Sequence, residues 1–273
     1  MNPKHIVVIG DSRNMQEVPD NSVQLIVTSP PYFNVKEYGR ENIGSINEFS
    51  KYLQEMQQVF NECYRVLEYG RYICVNISDI ISDKAKYPIP AHYILMLQRA
   101  GFEYREDIIW KKPSGVGANG GSGAGKRFGI FIRHPYPMYY FPNNVFEHIL
   151  VFRKGKFDYK KLTEEDKRRA AMDIEFIKEN WNCDIWNMCP ETKNQYIDPH
   201  PAMFPEELPE ALIRLYTFEG EIVLDPFLGS GTTTKVAASL NRLSIGYEIN
   251  REYLPVIQKK ANTELKIIFQ VRK

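Results

Sequence analysis

Thr28, Ser29, Pro30, Pro31 and Tyr32 spell T-S-P-P-Y directly after the apolar run Val23–Val27. A β-branched run of this kind predicts a buried strand. Two consecutive prolines end it, because neither has an N–H to give to a ladder. The turn therefore presents a hydroxyl, unpaired backbone carbonyls and an aromatic face at a strand's C-terminal end. In open α/β sheets ligands bind at that end. Acceptors beside a stacking ring suit a flat molecule bearing an amino group, such as a nucleobase.

A second constellation, D-P-F-L-G-S-G-T-T, occupies residues 225–233, between a predicted strand and a predicted helix. Gly229 and Gly231 permit close backbone approach and positive φ. Thr232 and Thr233 are expected to cap the helix, whose N-terminal N–H groups attract anionic or electron-rich groups. The next predicted strand ends at Glu248, 19 positions after Gly229. Nucleotide-binding α/β folds place there the carboxylate that grips ribose hydroxyls. The loop departs from the dinucleotide G-x-G-x-x-G pattern, so a different adenosine cofactor is favoured. Alone, a glycine turn with a capped helix and a solvated Glu248 is the plainer reading.

The elements that must carry these residues alternate. His5–Gly10 is a short strand and Val23–Val27 the next. Residues 47–68 are predicted helical, with Asn47 as cap, Phe49, Leu53, Met56, Phe60, Tyr64 and Leu67 at helical spacing, and Gly70 near the C-cap. Strands are expected at Arg71–Ile77 and Phe102–Trp110, with a helix at Ala91–Arg99 between them. Glu147–Arg153 is a strand, and residues 154–198 read as an inserted segment rather than sheet. Helices follow at Pro205–Leu215, Thr234–Leu240 and Glu252–Leu265, with strands at Glu221–Leu224 and Leu243–Tyr247. Such alternation predicts a mostly parallel sheet covered by helices.

Composition sets wider bounds. The 273 residues are 43% hydrophobic, enough for one large domain or two small ones. Cys63, Cys74, Cys183 and Cys189 form no C-x-x-C pair, which argues against zinc or a disulfide framework and fits a reducing cytosol. No signal-peptide layout and no membrane-length apolar run is present, so the expectation is a cytoplasmic protein with no membrane partner.

Together the two constellations resemble the amino-group (N4-cytosine and N6-adenine) DNA methyltransferases of restriction-modification type, which use S-adenosylmethionine. The catalytic motif precedes the cofactor loop, an order that resembles the beta class. The resemblance extends to Gly10-Asp11, to F-E-H-I-L-V-F-R-K at Phe146–Lys154 and to H-P-A-M-F-P at His200–Pro205, and so covers nearly the whole chain. It implies an α/β, Rossmann-like methyltransferase fold, circularly permuted, with a mostly parallel sheet, helices on both faces and an inserted target-recognition segment. Residues 1–153 would form the catalytic-motif half, including a mobile glycine-rich loop at 114–129. Residues 154–198 would be the target-recognition segment, and 199–273 the cofactor-binding half of the same domain.

The resemblance also implies roles. The Ser29 side chain and the Pro30 carbonyl would accept the two amine protons, in a turn completed by Pro31, and Tyr32 would stack on the flipped base. No cysteine nucleophile and no metal is required; positioning and electrostatics carry the reaction. For the cofactor, Phe227, Gly229 and Gly231 would line the methionine and ribose side, with Asp225 nearby and Glu248 on the ribose hydroxyls. Thr28, Pro226, Ser230 and Thr232 complete that set. His200, Pro201 and Phe204 would close over the methionine portion, through backbone rather than the His200 imidazole. Asp11 would reach the adenine end, and a turn-capping Asx role is equally consistent with it.

Local charge must supply contact with double-stranded DNA. Residues 105–169 carry 14 Lys and Arg against 7 Asp and Glu, a net +7 in a chain of net +1. That asymmetry fits a basic face along a phosphate backbone. Lys111, Lys112, Lys126, Arg127 and Arg133 are the phosphate candidates. Lys156, Lys160, Lys161, Lys193, Asn194 and Gln195 could include base readers. Gly120 to Lys126 approaches a P-loop, but Arg127 stands where a magnesium-binding Ser or Thr belongs. Core packing is favoured over base stacking for Trp181 and Trp186. Serine at 29 tilts the target toward cytosine N4, with adenine N6 as the alternative. Protein-glutamine methylation and a catalytically silent DNA-binding partner are the further alternatives. A nucleoid association is expected of such a cytoplasmic enzyme; a cognate restriction endonuclease and the choice between monomer and homodimer are left open by the resemblance.

Overall fold

A computed structural model describes residues 4–34, 42–82, 85–113, 137–138, 145–170, 172–190 and 204–270. Eleven strands are seen among them: β1 (His5–Ile9), β2 (Val23–Thr28), β3 (Leu67–Ile77), β4 (Ile80–Ser82), β5 (Ala85–Tyr87), β6 (Glu103–Lys111), β7 (Phe146–Arg153), β8 (Ile185–Asn187), β9 (Ile222–Asp225), β10 (Leu243–Glu248) and β11 (Lys266–Phe269). The α-helices among these residues are α1 (Phe49–Val66), α2 (Ile89–Ala100), α3 (Glu164–Arg169), α4 (Ile174–Asn180), α5 (Glu207–Tyr216), α6 (Thr232–Ser239) and α7 (Leu254–Ala261).

The main sheet runs β11-β1-β10-β9-β2-β3-β7-β6-β8. Only β7 opposes the other strands of that sheet. The C-terminal strands β9 and β10 insert between β1 and β2, so residues from both ends of the chain meet at the centre of one sheet edge. That insertion is what brings the T-S-P-P-Y turn beside the glycine loop.

Both faces of the sheet are covered. Ile26, Ile73, Val75 and Leu150 pack with Tyr52, Met56 and Phe60 of α1 and with Tyr93 and Leu97 of α2. Leu25, Val27, Cys74 and Ile149 face the other way, against Leu208 and Leu212 of α5 and Val236 of α6. The alternation of adjacent strand residues between the two layers is the period-2 geometry of a strand buried on both sides. Among the described residues no helix is long and apolar enough to cross a membrane.

Several expectations need correction. Helix α1 starts after Glu48, not Asn47, with no side-chain cap, and it ends at Val66, well before Gly70. Its C-terminus is closed by Lys154, whose Nζ donates to the carbonyls of Tyr64 (2.6 Å) and Leu67 (2.7 Å). Gly70 instead lies inside β3 at φ 89°. The segment 154–198 is not wholly outside the sheet: β8 pairs in parallel with β6. Trp186, 3% exposed, anchors it in the core, with Trp181 packed alongside. The last predicted helix is cut short at Asn262, which takes a left-handed φ of 46°, and β11 follows as an edge strand on β1.

Candidate active site

The C-terminal ends of β1, β10, β9 and β2, neighbours in that order, surround a cleft of about 860 Å³ including its solvent-open mouth. Ser29, Pro30, Pro31 and Tyr32 line it from the end of β2. Pro226, Phe227, Gly229, Ser230 and Thr232 line it from the loop after β9, and Glu248 from the end of β10.

Glu248 is 8% exposed. Its carboxylate accepts from the backbone N–H of Gly229 (2.9 Å) and of Asn250 (2.8 Å). Burial pushes its pKa up to about 7, with those backbone donors opposing the rise and the Asp225 charge adding to it. A carboxylate offers about four acceptor positions. The Ile249 N–H also acts on it, so the backbone donors engage part of this capacity and leave the remainder for a ligand hydroxyl. Positive φ at Gly229 (55°) and Gly231 (93°) makes the tight loop above it.

Asp225 sits behind this surface, 1% exposed. Its Oδ1 accepts from the Thr28 hydroxyl (2.8 Å) and the Phe227 N–H (3.0 Å), and its Oδ2 from the Thr233 hydroxyl (2.7 Å). Burial raises its pKa to about 6, against the pull of these three donors. Thr28 is likewise 1% exposed. On the far side, Tyr32 Oη donates to Glu147 Oε2 at 3.3 Å, and Lys112 Nζ donates to Glu147 Oε1 at 2.6 Å.

A parallel-sheet edge that joins an S-P-P-Y turn to a glycine loop and a buried acid at a strand's end has a match among known families. The profile of the N6/N4 DNA methylases, described as DNA methylase, covers residues 23–259. The chain belongs to the N6/N4 amino-group DNA methylases.

This methylase is 33% identical to the Type II methyltransferase M.MjaI of Methanocaldococcus jannaschii, over 97% of the chain and 93% of that relative. It resembles TTHA0409 of Thermus thermophilus, a candidate DNA modification methylase solved with S-adenosyl-L-methionine. That match has a TM-score of 0.76 and 26% identity, and covers 98% of this chain and 100% of the other. PvuII DNA methyltransferase (cytosine-N4-specific) shares the fold, with a TM-score of 0.68 at 19% identity over 97% of this chain and 95% of that one.

In the methylase, the expected site residues divide into two groups. Asp11, Phe204, Pro226, Phe227, Gly229, Ser230, Thr232, Glu248 and the four residues Ser29–Tyr32 all line the cleft. Thr28, Asp225 and Gly231 stand behind the lining rather than on it: Thr28 and Asp225 bond to each other, and Gly231 packs toward Ile257. Thr232 and Thr233 do not cap α6, whose N-cap is Gly231; the Thr233 hydroxyl is committed to Asp225 instead. Asp11 takes the turn-capping role. It lines the cleft, and its carboxylate accepts from the Arg13 N–H (2.9 Å) and pairs with the Arg13 guanidinium, which also holds Glu55.

Among the basic candidates, Lys111 is exposed. Lys112 is not an open phosphate contact: its side chain is 17% exposed and its charge is paired with Glu147. Lys156 and Lys160 are exposed. His200, Pro201, Lys126, Arg127, Arg133, Lys193, Asn194 and Gln195, and the 114–129 loop, lie outside the described residues.

Some lining residues escaped the sequence reading. Asn42, Ile43, Tyr247, Ile249 and Tyr253 border the cleft. Ile249 and Tyr253 follow Glu248 closely, and that adjacency is the signal that would have found them. Gln270 had no signal: it follows β11 and accepts the Asp11 N–H at 2.7 Å, across 259 positions.

Proposed function

We propose that this methylase transfers a methyl group from S-adenosyl-L-methionine to the exocyclic N4 amine of cytosine in duplex DNA, with the target base flipped out. The observation that carries this reading is the shared cleft: Ser29–Tyr32 and Glu248 open onto the same space. The cleft also fits the cofactor chemically. Glu248 has acceptor capacity for a ribose hydroxyl, and Phe227, Pro226 and Ile249 supply apolar wall. Bound S-adenosyl-L-methionine supplies an electrophilic methyl group on a sulfonium.

The residues of the chain do the positioning. The lone pair of a base amine is delocalised into the ring and is a poor nucleophile. Hydrogen bonds from the amine to the Ser29 hydroxyl and the Pro30 carbonyl favour a tetrahedral nitrogen and free that pair. Tyr32 stacks on the extruded ring, which offsets part of the few kcal/mol that unstacking costs. Neither acceptor takes up a proton at neutral pH, so the proton shed on transfer leaves to solvent. Glu248 grips the ribose, Asp11 faces the adenine end and Phe204 closes the cleft. Thr28, Asp225 and Gly231 shape the site from behind.

The catalytic turn precedes the cofactor loop, which we read as a circularly permuted methyltransferase sheet. Residues 1–153 and 199–273 form its two halves, and 154–198 carry target recognition. Exposed Lys111, Lys156 and Lys160 contribute to DNA contact. The Type II name of the M.MjaI relative supports a role in restriction-modification, hence a cytoplasmic, nucleoid-associated enzyme. Mass analysis of nucleosides from DNA treated with the protein and its cofactor tests the reading. N4-methylcytosine is expected. N6-methyladenine alone overturns the choice of base and keeps the amino-group chemistry, because serine at position 29 accepts from either amine.

A further inference from the structure

Two buried tyrosines hold the catalytic turn from behind. Tyr52 on α1 and Tyr93 on α2 are both 0% exposed. The Tyr52 hydroxyl donates to the Pro31 carbonyl at 3.0 Å and lies 2.6 Å from the Tyr93 hydroxyl. A phenol has one proton to donate. With the Tyr52 proton committed to Pro31, the proton between the two hydroxyls belongs to Tyr93. The donors therefore run in one direction, from Tyr93 to Tyr52 to the Pro31 carbonyl.

The opposite side of the turn is closed by backbone. Asn34 donates its N–H to the Gly44 carbonyl at 2.8 Å. A Cβ at Gly44 would lie 2.9 Å from the Tyr32 carbonyl oxygen and 3.0 Å from the Pro31 Cβ. The turn is thus gripped between α1 and the Ile43–Ser45 helical turn, at the residue between Pro30 and Tyr32. The same helix that packs the core, through Met56 and Phe60, sets the position of the Pro31 carbonyl.

We propose that Tyr52 and Tyr93 are positioning residues for methyl transfer. Their relay fixes the Pro31 peptide, and so aims the Pro30 carbonyl and Ser29 hydroxyl on one side and the Tyr32 ring on the other. This rests on the reading of Ser29–Tyr32 as the catalytic turn. Positioning of this kind is steep: a misplacement near 1 Å costs roughly 100-fold in rate. A hydrogen bond from buried tyrosine is a stiff restraint, since loss of either partner leaves a buried polar group unsatisfied.

The test is single-turnover transfer of labelled methyl to unmethylated genomic DNA, with the S-adenosyl-L-methionine Kd measured by calorimetry. Tyr52→Phe should slow transfer by about tenfold or more while the Kd stays within about twofold. Tyr93→Phe should slow it by only about three- to fivefold, since Tyr52 keeps its own proton on Pro31. The double variant should match Tyr52→Phe alone, because the two groups act in series. A merely structural role would lower Tm without this split between rate and Kd. Full-rate transfer by Tyr52→Phe, or effects that multiply in the double variant, overturns the proposal. If Tyr52→Phe does not fold, Tyr93→Phe decides: a wild-type rate overturns it. Absence of transfer by the unaltered protein overturns the proposed function itself, which separates the two failures.

Discussion

Thr28, the last residue of β2, donates its hydroxyl to Asp225, the last residue of β9, at 2.8 Å across 197 positions of sequence. The bond ties the strand that leads into Ser29 to the strand that leads into the glycine loop. Asp225 also holds Phe227 N–H and the Thr233 hydroxyl, so one buried carboxylate sets the base of both motifs. Asp225→Ala leaves two buried hydroxyls and the part-buried Phe227 N–H without this acceptor, and is expected to cost about 3–5 kcal/mol in denaturant unfolding. Asp225→Asn keeps the shape and should cost less. The pH dependence separates the two terms. The folded carboxyl is raised from 3.8 to about 6, so the folded state binds the proton more tightly than the unfolded chain. Its ionised form is penalised at pH 7, and that penalty is relieved as pH falls through 6, levelling off near 3.8. Relative to Asp225→Asn, the wild-type protein should therefore gain stability between about pH 7 and about pH 4. Equal slopes for the two proteins would contradict this.

Glu147 joins Tyr32 to Lys112, with both of its oxygens engaged. The Lys112 charge is therefore already balanced within the protein, while Lys111 faces solvent. Each protein cation on a phosphate contributes about one unit to the slope of log affinity against log salt. Lys111→Ala should lower that slope by about 0.9. Lys112→Ala should leave the slope unchanged and instead release Glu147 and lower the rate of methyl transfer. Fluorescence anisotropy of labelled duplex across a salt series, paired with transfer assays, distinguishes the two lysines. A reduced slope in Lys112→Ala would assign it to the phosphates after all.

The features most legible in the sequence were those with local cause. The β-branched run before two prolines ends at the expected place, and the glycine loop lies between β9 and α6. What stayed hidden depends on partners distant in sequence. Nothing near Tyr52 marks it as a donor to Pro31, and the helical spacing picks out its neighbour Leu53 instead, although Tyr52 is the buried one of the two. Thr233 looks like a cap by local rules, yet its hydroxyl finds Asp225 at 2.7 Å. Strands β8 and β11 span 3 and 4 residues, too short for a period to register, and exist through pairing with β6 and β1. Lys154 reads as a surface lysine from its type alone; burial turned it into a helix terminator.

That lysine makes a stability prediction independent of the site. Lys154 Nζ donates to Asn21 Oδ1 (2.8 Å), the Tyr64 carbonyl (2.6 Å) and the Leu67 carbonyl (2.7 Å), and lies 4.6 Å from the Tyr64 ring centroid. All three ammonium protons are used, at a helix C-terminus where positive charge is favoured. Lys154→Met keeps most of the stem and removes the donors. It should destabilise the fold by about 2–4 kcal/mol with the cofactor Kd little changed, once the folded fraction is accounted for. Chemical unfolding with calorimetry on the same preparations checks both halves. A loss below about 0.5 kcal/mol would show the carbonyls to be satisfied by water instead.

Glu248 links pH to cofactor binding. Its folded pKa is raised from 4.5 to about 7 by burial. Below that pH the free protein carries a neutral carboxyl, which has lost acceptor capacity for ribose hydroxyls. Binding hydroxyls favours the ionised form, so affinity should weaken as pH falls from about 8 to about 6, approaching a tenfold loss per pH unit below about 7. The Glu248→Gln protein has no proton to exchange there, and its affinity should be lower at about pH 8 but less steep. Comparing the two proteins by calorimetry subtracts any titration of the cofactor itself. Parallel pH profiles would mean that Glu248 does not face the ligand in its charged form, and would remove the ribose assignment from it.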